Sequence, residues 1–136
     1  MTGFLDTNVV VRYLTGEPPG LAERAAEIID GVPDLYVTDV VLAETAYVLM
    51  SVYRVPRDIV IDHLVAFLQK RNVSPYALDK GLALHGLLLC RPSARVSVPD
   101  AMVWAAARSA GADTAYSFDE RFPQDGLKVR QRASVG

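Results

Sequence analysis

Four acidic residues, Asp6, Glu44, Asp100 and Asp119, stand where side-chain type and spacing suggest chemistry. Asp6 follows the short apolar run Gly3-Phe4-Leu5, and Asp119 follows the run from Ala112 to Ser117. If both runs are strands of a parallel sheet, both carboxylates lie beyond strand C-terminal ends, where open α/β sheets bind their ligands. Either one alone also suits a helix cap or a turn. Glu44 has Val40, Val41, Tyr47 and Val48 three and four residues away on either side, so helical periodicity places it inside an apolar stripe. A buried, unpaired carboxylate is costly, so this position calls for a cation, a basic partner such as an arginine, or a proton. Asp100 precedes Val103, Trp104 and Ala107 at core-facing helical spacings, although an acid just after Pro99 also suits the positive end of a helix.

Two carboxylates at strand ends and two on helix stripes can meet at one edge of a sheet. Oxygen-only ligands of that kind suit Mg²⁺ or Mn²⁺. No cluster of histidine and cysteine favours zinc: His63 and His85 fall inside predicted helices and read as ordinary helix residues, and the single Cys90 reads as a small buried apolar residue.

The elements that must position these acids alternate. Strands are expected at Gly3–Leu5, Leu35–Val37, Val73–Pro75, Ala112–Ser117 and Leu127–Val129. Helices are expected over Thr7–Leu14, Leu21–Ile29, from Thr38 or Asp39 to about Tyr53, from Pro56 to Leu68, Leu78–Leu89 and Asp100–Ala110, with the loop Pro92–Pro99 before the last. The third and fourth helices form a hairpin. This alternation predicts an α/β domain with a mainly parallel sheet between helical layers. One domain over residues 1–130 is expected, with 131–136 as a C-terminal tail.

Composition narrows the function classes. A chain of 136 residues, 51% hydrophobic and 22% charged, suits a single packed domain and excludes a disordered one. One cysteine excludes an internal disulfide framework and points to a reducing compartment. No signal peptide or membrane span is expected at the N-terminus, so the expected location is the cytoplasm. A net charge of −2 argues against a protein that coats nucleic acid through bulk positive charge, but not against a nuclease whose carboxylates hold a cation.

Leu5-Asp6-Thr7-Asn8, Glu44 within Val41-Leu42-Ala43-Glu44, Asp100-Ala101 opening an alanine-rich helix, and Ser117-Phe118-Asp119-Glu120-Arg121-Phe122 together resemble the PIN domain. More narrowly, length and motif order resemble the VapC toxins of bacterial toxin–antitoxin pairs. The resemblance runs from about residue 3 to 130 and rests on four motifs in the right order. It implies a three-layer α/β/α fold, Mg²⁺- or Mn²⁺-dependent endoribonuclease activity, a homodimer, and neutralisation by a small VapB-type antitoxin. Asp6, Glu44, Asp100 and Asp119 match the family's acidic quartet, and Asn8 and Ser117 match its supporting polar positions. Pro99 departs from the small residue common there, but proline suits the start of a helix.

On that reading Asp6 and Asp100 are the main metal ligands, Glu44 holds water and serves as base, and Asp119 completes the site. Arg12, Arg54, Arg91, Arg95 and Arg121 flank the acidic segments and are candidates for holding RNA, with a tRNA or rRNA loop as a plausible target. Two rivals remain open: a phosphatase using Asp6 as nucleophile, which Asn8 disfavours because a second acid is wanted there, and a silent RNA- or protein-binding module of the same fold.

Overall fold

Local chemistry sets most of the boundaries. The computed structural model describes residues 2–116 and 120–130. Strand β1 (Thr2–Phe4) ends at Asp6, whose carboxylate accepts a hydrogen bond from the Thr7 backbone N–H at 2.8 Å and caps helix α1 (Thr7–Thr15). Gly16 closes α1 with φ 73°, a left-handed conformation that glycine adopts without strain, and its N–H reaches the Arg12 carbonyl at 2.9 Å. Helix α2 (Pro19–Gly31) begins two residues before the sequence pattern suggests, because Pro19 occupies a first-turn position that needs no N–H donor. Strand β2 (Asp34–Val37) leads to α3 (Asp39–Ser51), capped by the Thr38 hydroxyl, which accepts from Val41 N–H at 3.3 Å.

Helix α4 (Arg57–Leu68) packs against α3 as the expected hairpin and is followed by β3 (Val73–Pro75). Asp79 caps α5 (Lys80–Leu89) rather than lying inside it. Helix α6 (Val98–Ser109) starts before Asp100: Ser97 is its cap, Pro99 lies in its first turn, and the expected loop ends at Ser97 rather than Pro99. Strands β4 (Thr114–Tyr116) and β5 (Lys128–Arg130) complete the described elements.

All strand pairs are parallel, as expected for α/β connections. Among the described residues they form two ladders, β1-β2-β3 and β4-β5, rather than one continuous sheet. Leu35, Val37 and Val73 are buried together with Val10, Ile29, Leu42, Leu64, Phe67, Leu87 and Trp104 in the core. Among the described residues no helix is long and apolar enough to cross a membrane.

Two devices position α6, the helix that carries Asp100. Gly86 of α5 lies so close that a Cβ there would meet the Ala101 carbonyl at 3.0 Å, so glycine permits the two helices to pack tightly. Arg57 of α4 donates through Nε to the Cys90 carbonyl at 3.0 Å and through Nη2 to the Val96 carbonyl, fixing both ends of the segment that leads into α6. Cys90 itself is buried, and burial, reinforced by the Asp100 charge and opposed by Arg57, pushes its thiol up to about 11. It is the inert core residue its sequence context suggests.

Candidate active site

The polar N-terminus of α1 and one side of α3 enclose a groove of about 390 Å³. Asp6, Asn8 and Arg12 line it from β1 and α1, and Glu44 lines it from α3. The capping bond from Thr7 N–H fixes one oxygen of Asp6. The Thr7 hydroxyl donates to Glu44 Oε1 at 3.3 Å, so one residue orients both carboxylates across 37 positions of sequence. The geometry therefore brings together two of the four expected acids, beyond the C-terminal end of β1.

Glu44 is exposed, which corrects the expectation that it sits in a core-facing stripe. The face of α3 that is buried carries Val41, Leu42, Thr45, Ala46 and Leu49. Val40 and Tyr47, the neighbours that suggested burial, are 60% and 70% exposed. Helix α3 is apolar on two sides, and only one of them is covered. Glu44 therefore needs no buried counter-charge, and its carboxylate is available to the groove.

Asp100 is half-buried in the first turn of α6, where its backbone N–H donates to Ser97 Oγ at 3.2 Å. It does not line the groove, although α3 and α6 pack together. Asp119 and Ser117 lie outside the described residues. Among the described residues, no three histidine, cysteine or acidic side chains gather into a group able to hold a metal. The donor chemistry of the groove nonetheless fits a hard cation: Mg²⁺ is commonly held by one or two carboxylates together with substrate phosphates and water, and Asp6 and Glu44 supply two.

The candidate arginines separate by their partners. Arg91 makes a two-pronged pair with Asp62, with Nε to Oδ1 at 2.7 Å and Nη2 to Oδ2 at 3.1 Å, and is thereby engaged away from the groove. Its hydrogen bonds hold the Asp62 carboxyl below its ordinary range. Arg95 and Arg121 line a separate cavity with Glu120 and Asp125, and Arg54 is exposed at the turn after α3. Only Arg12 among the five lines the groove. His63 is exposed on α4, and His85 pairs with Asp125 at 2.8 Å; neither lines the groove.

The apolar lining of the groove escapes the reading of the sequence: Val11, Val48, Val52 and Tyr53. A signal was present, since Val48 and Val52 continue the i+4 and i+8 positions from Glu44.

No curated protein matches the chain. Residues 3–125 match the PIN domain, a span that includes Asp6, Glu44, Asp100 and Asp119. With a parallel α/β framework and an acidic groove at the end of its first strand, the chain belongs to the PIN domain family, whose members are generally nucleases and typically metal-dependent.

Proposed function

We propose that this PIN domain is a Mg²⁺- or Mn²⁺-dependent endoribonuclease of the VapC toxin type, active in the cytoplasm as a homodimer and neutralised by a VapB-type antitoxin. The observation that carries the reading is the pair of carboxylates, Asp6 and Glu44, tied together through Thr7 at the rim of a groove that also holds Arg12. The nuclease domain is taken as residues 1–130, with 131–136 as its tail.

Asp6 and Glu44 would hold the ion, with Asp100 and Asp119 completing the set and Asn8 and Ser117 steadying it. When bound, a divalent ion supplies charge neutralisation at the phosphate and a more acidic water. The chain's own residues do the rest. The Thr7 N–H keeps Asp6 in one orientation, and the Thr7 hydroxyl turns Glu44 toward the same place, which lowers the cost of organising the site at the moment of reaction. Glu44, exposed and beside the groove, accepts the proton of the attacking water. Arg12 offers a fixed positive charge to an RNA phosphate. In-line attack by water leaves a 5′-phosphate and a 3′-hydroxyl.

Mapping RNA 5′ ends after brief production of the protein, with Asp6→Asn as control, tests this reading. New 5′-phosphate ends should cluster at defined positions and vanish with the variant and with co-production of the antitoxin. Identical ends from wild type and variant would refute it and leave a binding module as the account of the fold.

A further inference from the structure

The crevice between α1 and α2 adjoins the acidic groove and carries charge of the opposite sign. It encloses about 250 Å³ and is lined from α1 by Asn8, Val9 and Arg12 and from α2 by Arg24, Ala25 and Ile28. Asn8 and Arg12 stand about one helical turn apart on α1 and line both cavities, so they form a ridge with the acids on one side and Arg24 on the other.

Among the described residues, the charged side chains that line the crevice are both arginines. Arg12 is half-buried and Arg24 exposed, and neither makes an ion pair or a side-chain hydrogen bond among the described residues. Arg57, Arg91 and Arg108, by contrast, are spent on partners within the fold. Glu23 and Glu27, the acids close to Arg24 along α2, are exposed and do not line the crevice. Its floor is apolar, with Val9 half-buried and Ala25 buried. A cleft with apolar walls and charge of one sign focuses its field on an approaching anion, and a guanidinium can grip a phosphate through two parallel N–H bonds.

An RNA chain carries a negative charge at every linkage, so a strand whose scissile phosphate lies by Asp6 and Glu44 brings further phosphates that need positive charge nearby. The crevice offers that charge immediately across the ridge. We infer that it is a second phosphate subsite, with Arg12 meeting the RNA at the ridge and Arg24 binding a phosphate beyond it, away from the linkage to be cut. Arg24 is thus a binding residue that holds the strand without taking part in the chemistry. This inference rests on the nuclease reading above and deepens it.

The test measures binding of labelled RNAs, from a dinucleotide to a dodecamer, over a range of salt concentrations, to protein carrying Asp6→Asn so that no turnover intervenes. Arg24→Gln should weaken binding of the dodecamer severalfold and flatten the dependence of log affinity on log salt by about 0.7, the slope contributed by one phosphate of a single strand. Arg24→Lys keeps the charge and should keep the slope. The dinucleotide, too short to cross the ridge, should bind Arg24→Gln as it binds the parent. Arg71→Gln removes the same charge from an exposed turn before β3 and should behave as the parent with every RNA. In protein with native Asp6, the loss in Arg24→Gln should appear in KM for the dodecamer rather than in kcat. Thermal melts confirm that each variant is folded. If protein with native Asp6 cuts RNA but Arg24→Gln keeps the parent's affinity and slope, or Arg71→Gln loses as much, the subsite is wrong and the nuclease reading stands. If binding depends on Arg24 in this way but protein with native Asp6 cuts no RNA, the subsite stands and the nuclease reading fails. An Arg24→Gln variant that binds RNA normally but loses affinity for an oligo-glutamate peptide would give the crevice to an acidic protein partner and overturn the RNA assignment.

Discussion

The α1–α3 groove and the clasp around Asp125 both concentrate charge, but they use it in opposite ways. At the clasp the charged and polar groups meet one another. The Asp125 carbonyl accepts from Trp104 Nε1 and from Arg108 Nη1, both at 2.8 Å, and its carboxylate meets His85 Nε2 at 2.8 Å. Arg108 lies over the Trp104 ring at 5.5 Å, and His85 meets that ring edge-on at 4.9 Å. Together these contacts tie the segment before β5 to α5 and α6. In the groove, among the described residues, the Asp6 and Glu44 side chains share only the two hydrogen bonds from Thr7, and the Arg12 side chain makes none. Completed hydrogen bonds mark charges that hold backbone in place. Incomplete ones, exposed in a concave site, mark charges left to act on something else.

That contrast predicts a split between activity and stability. The largest effect belongs to the groove: Asp6→Asn or Glu44→Gln should each slow RNA cleavage by roughly a hundredfold or more. Glu44→Gln should leave the melting temperature close to the parent's because Glu44 is exposed. A variant that lost activity only by unfolding would erase the distinction between the regions.

Next in size is the response to metal. Mn²⁺ at a hundredfold excess over its dissociation constant should stabilise the parent by about 2.7 kcal/mol, as for any ligand that binds only the folded state. Asp6→Asn should remove most of that shift in a thermal melt. An equal shift in both proteins would place the ion elsewhere.

The clasp should show the reverse behaviour. Gly126 has φ 79°, and a Cβ there would run into the Arg108 guanidinium. Gly126→Ala should therefore cost ~2 kcal/mol in urea unfolding, from left-handed strain and the displaced arginine.

The smallest effect sharpens the comparison from within α3. Thr45, next to Glu44, is fully buried, and its hydroxyl has no hydrogen-bond partner among the described residues. Replacing it by the similarly shaped valine should raise stability by about 1 kcal/mol and leave cleavage unchanged. A loss of stability would show that the hydroxyl finds a partner in solution.

Much of the scaffold was legible because its signals are local. Asp6 after an apolar run, Gly16 after a helix, and Pro56 before α4 each act on their immediate neighbours, and the parallel α/β alternation follows from them. The start of α6 was legible too but went unread: Ser97-Val98-Pro99-Asp100 has the spacing of a serine cap with an acid three residues on, which puts Pro99 inside the helix rather than before it. The exposure of Glu44 was not legible. Periodicity shows that α3 has apolar sides but not which of them the fold leaves uncovered. The pairing of His85 with Asp125 and of Thr7 with Glu44 joins residues far apart in sequence, which no local pattern encodes. Ser117 and Asp119, two of the expected site residues, lie outside the described residues.

The central claim is that Asp6 and Glu44 act as one site. The most direct measurement is the rate of RNA cleavage in Mn²⁺ by the parent, by Asp6→Asn, by Glu44→Gln and by the double variant. The account predicts that the double variant is scarcely slower than either single one, because removing one member of a working unit already removes its function. Losses that multiply, so that two roughly hundredfold effects combine in full, would contradict a shared site, as would a parent that cuts no RNA at all.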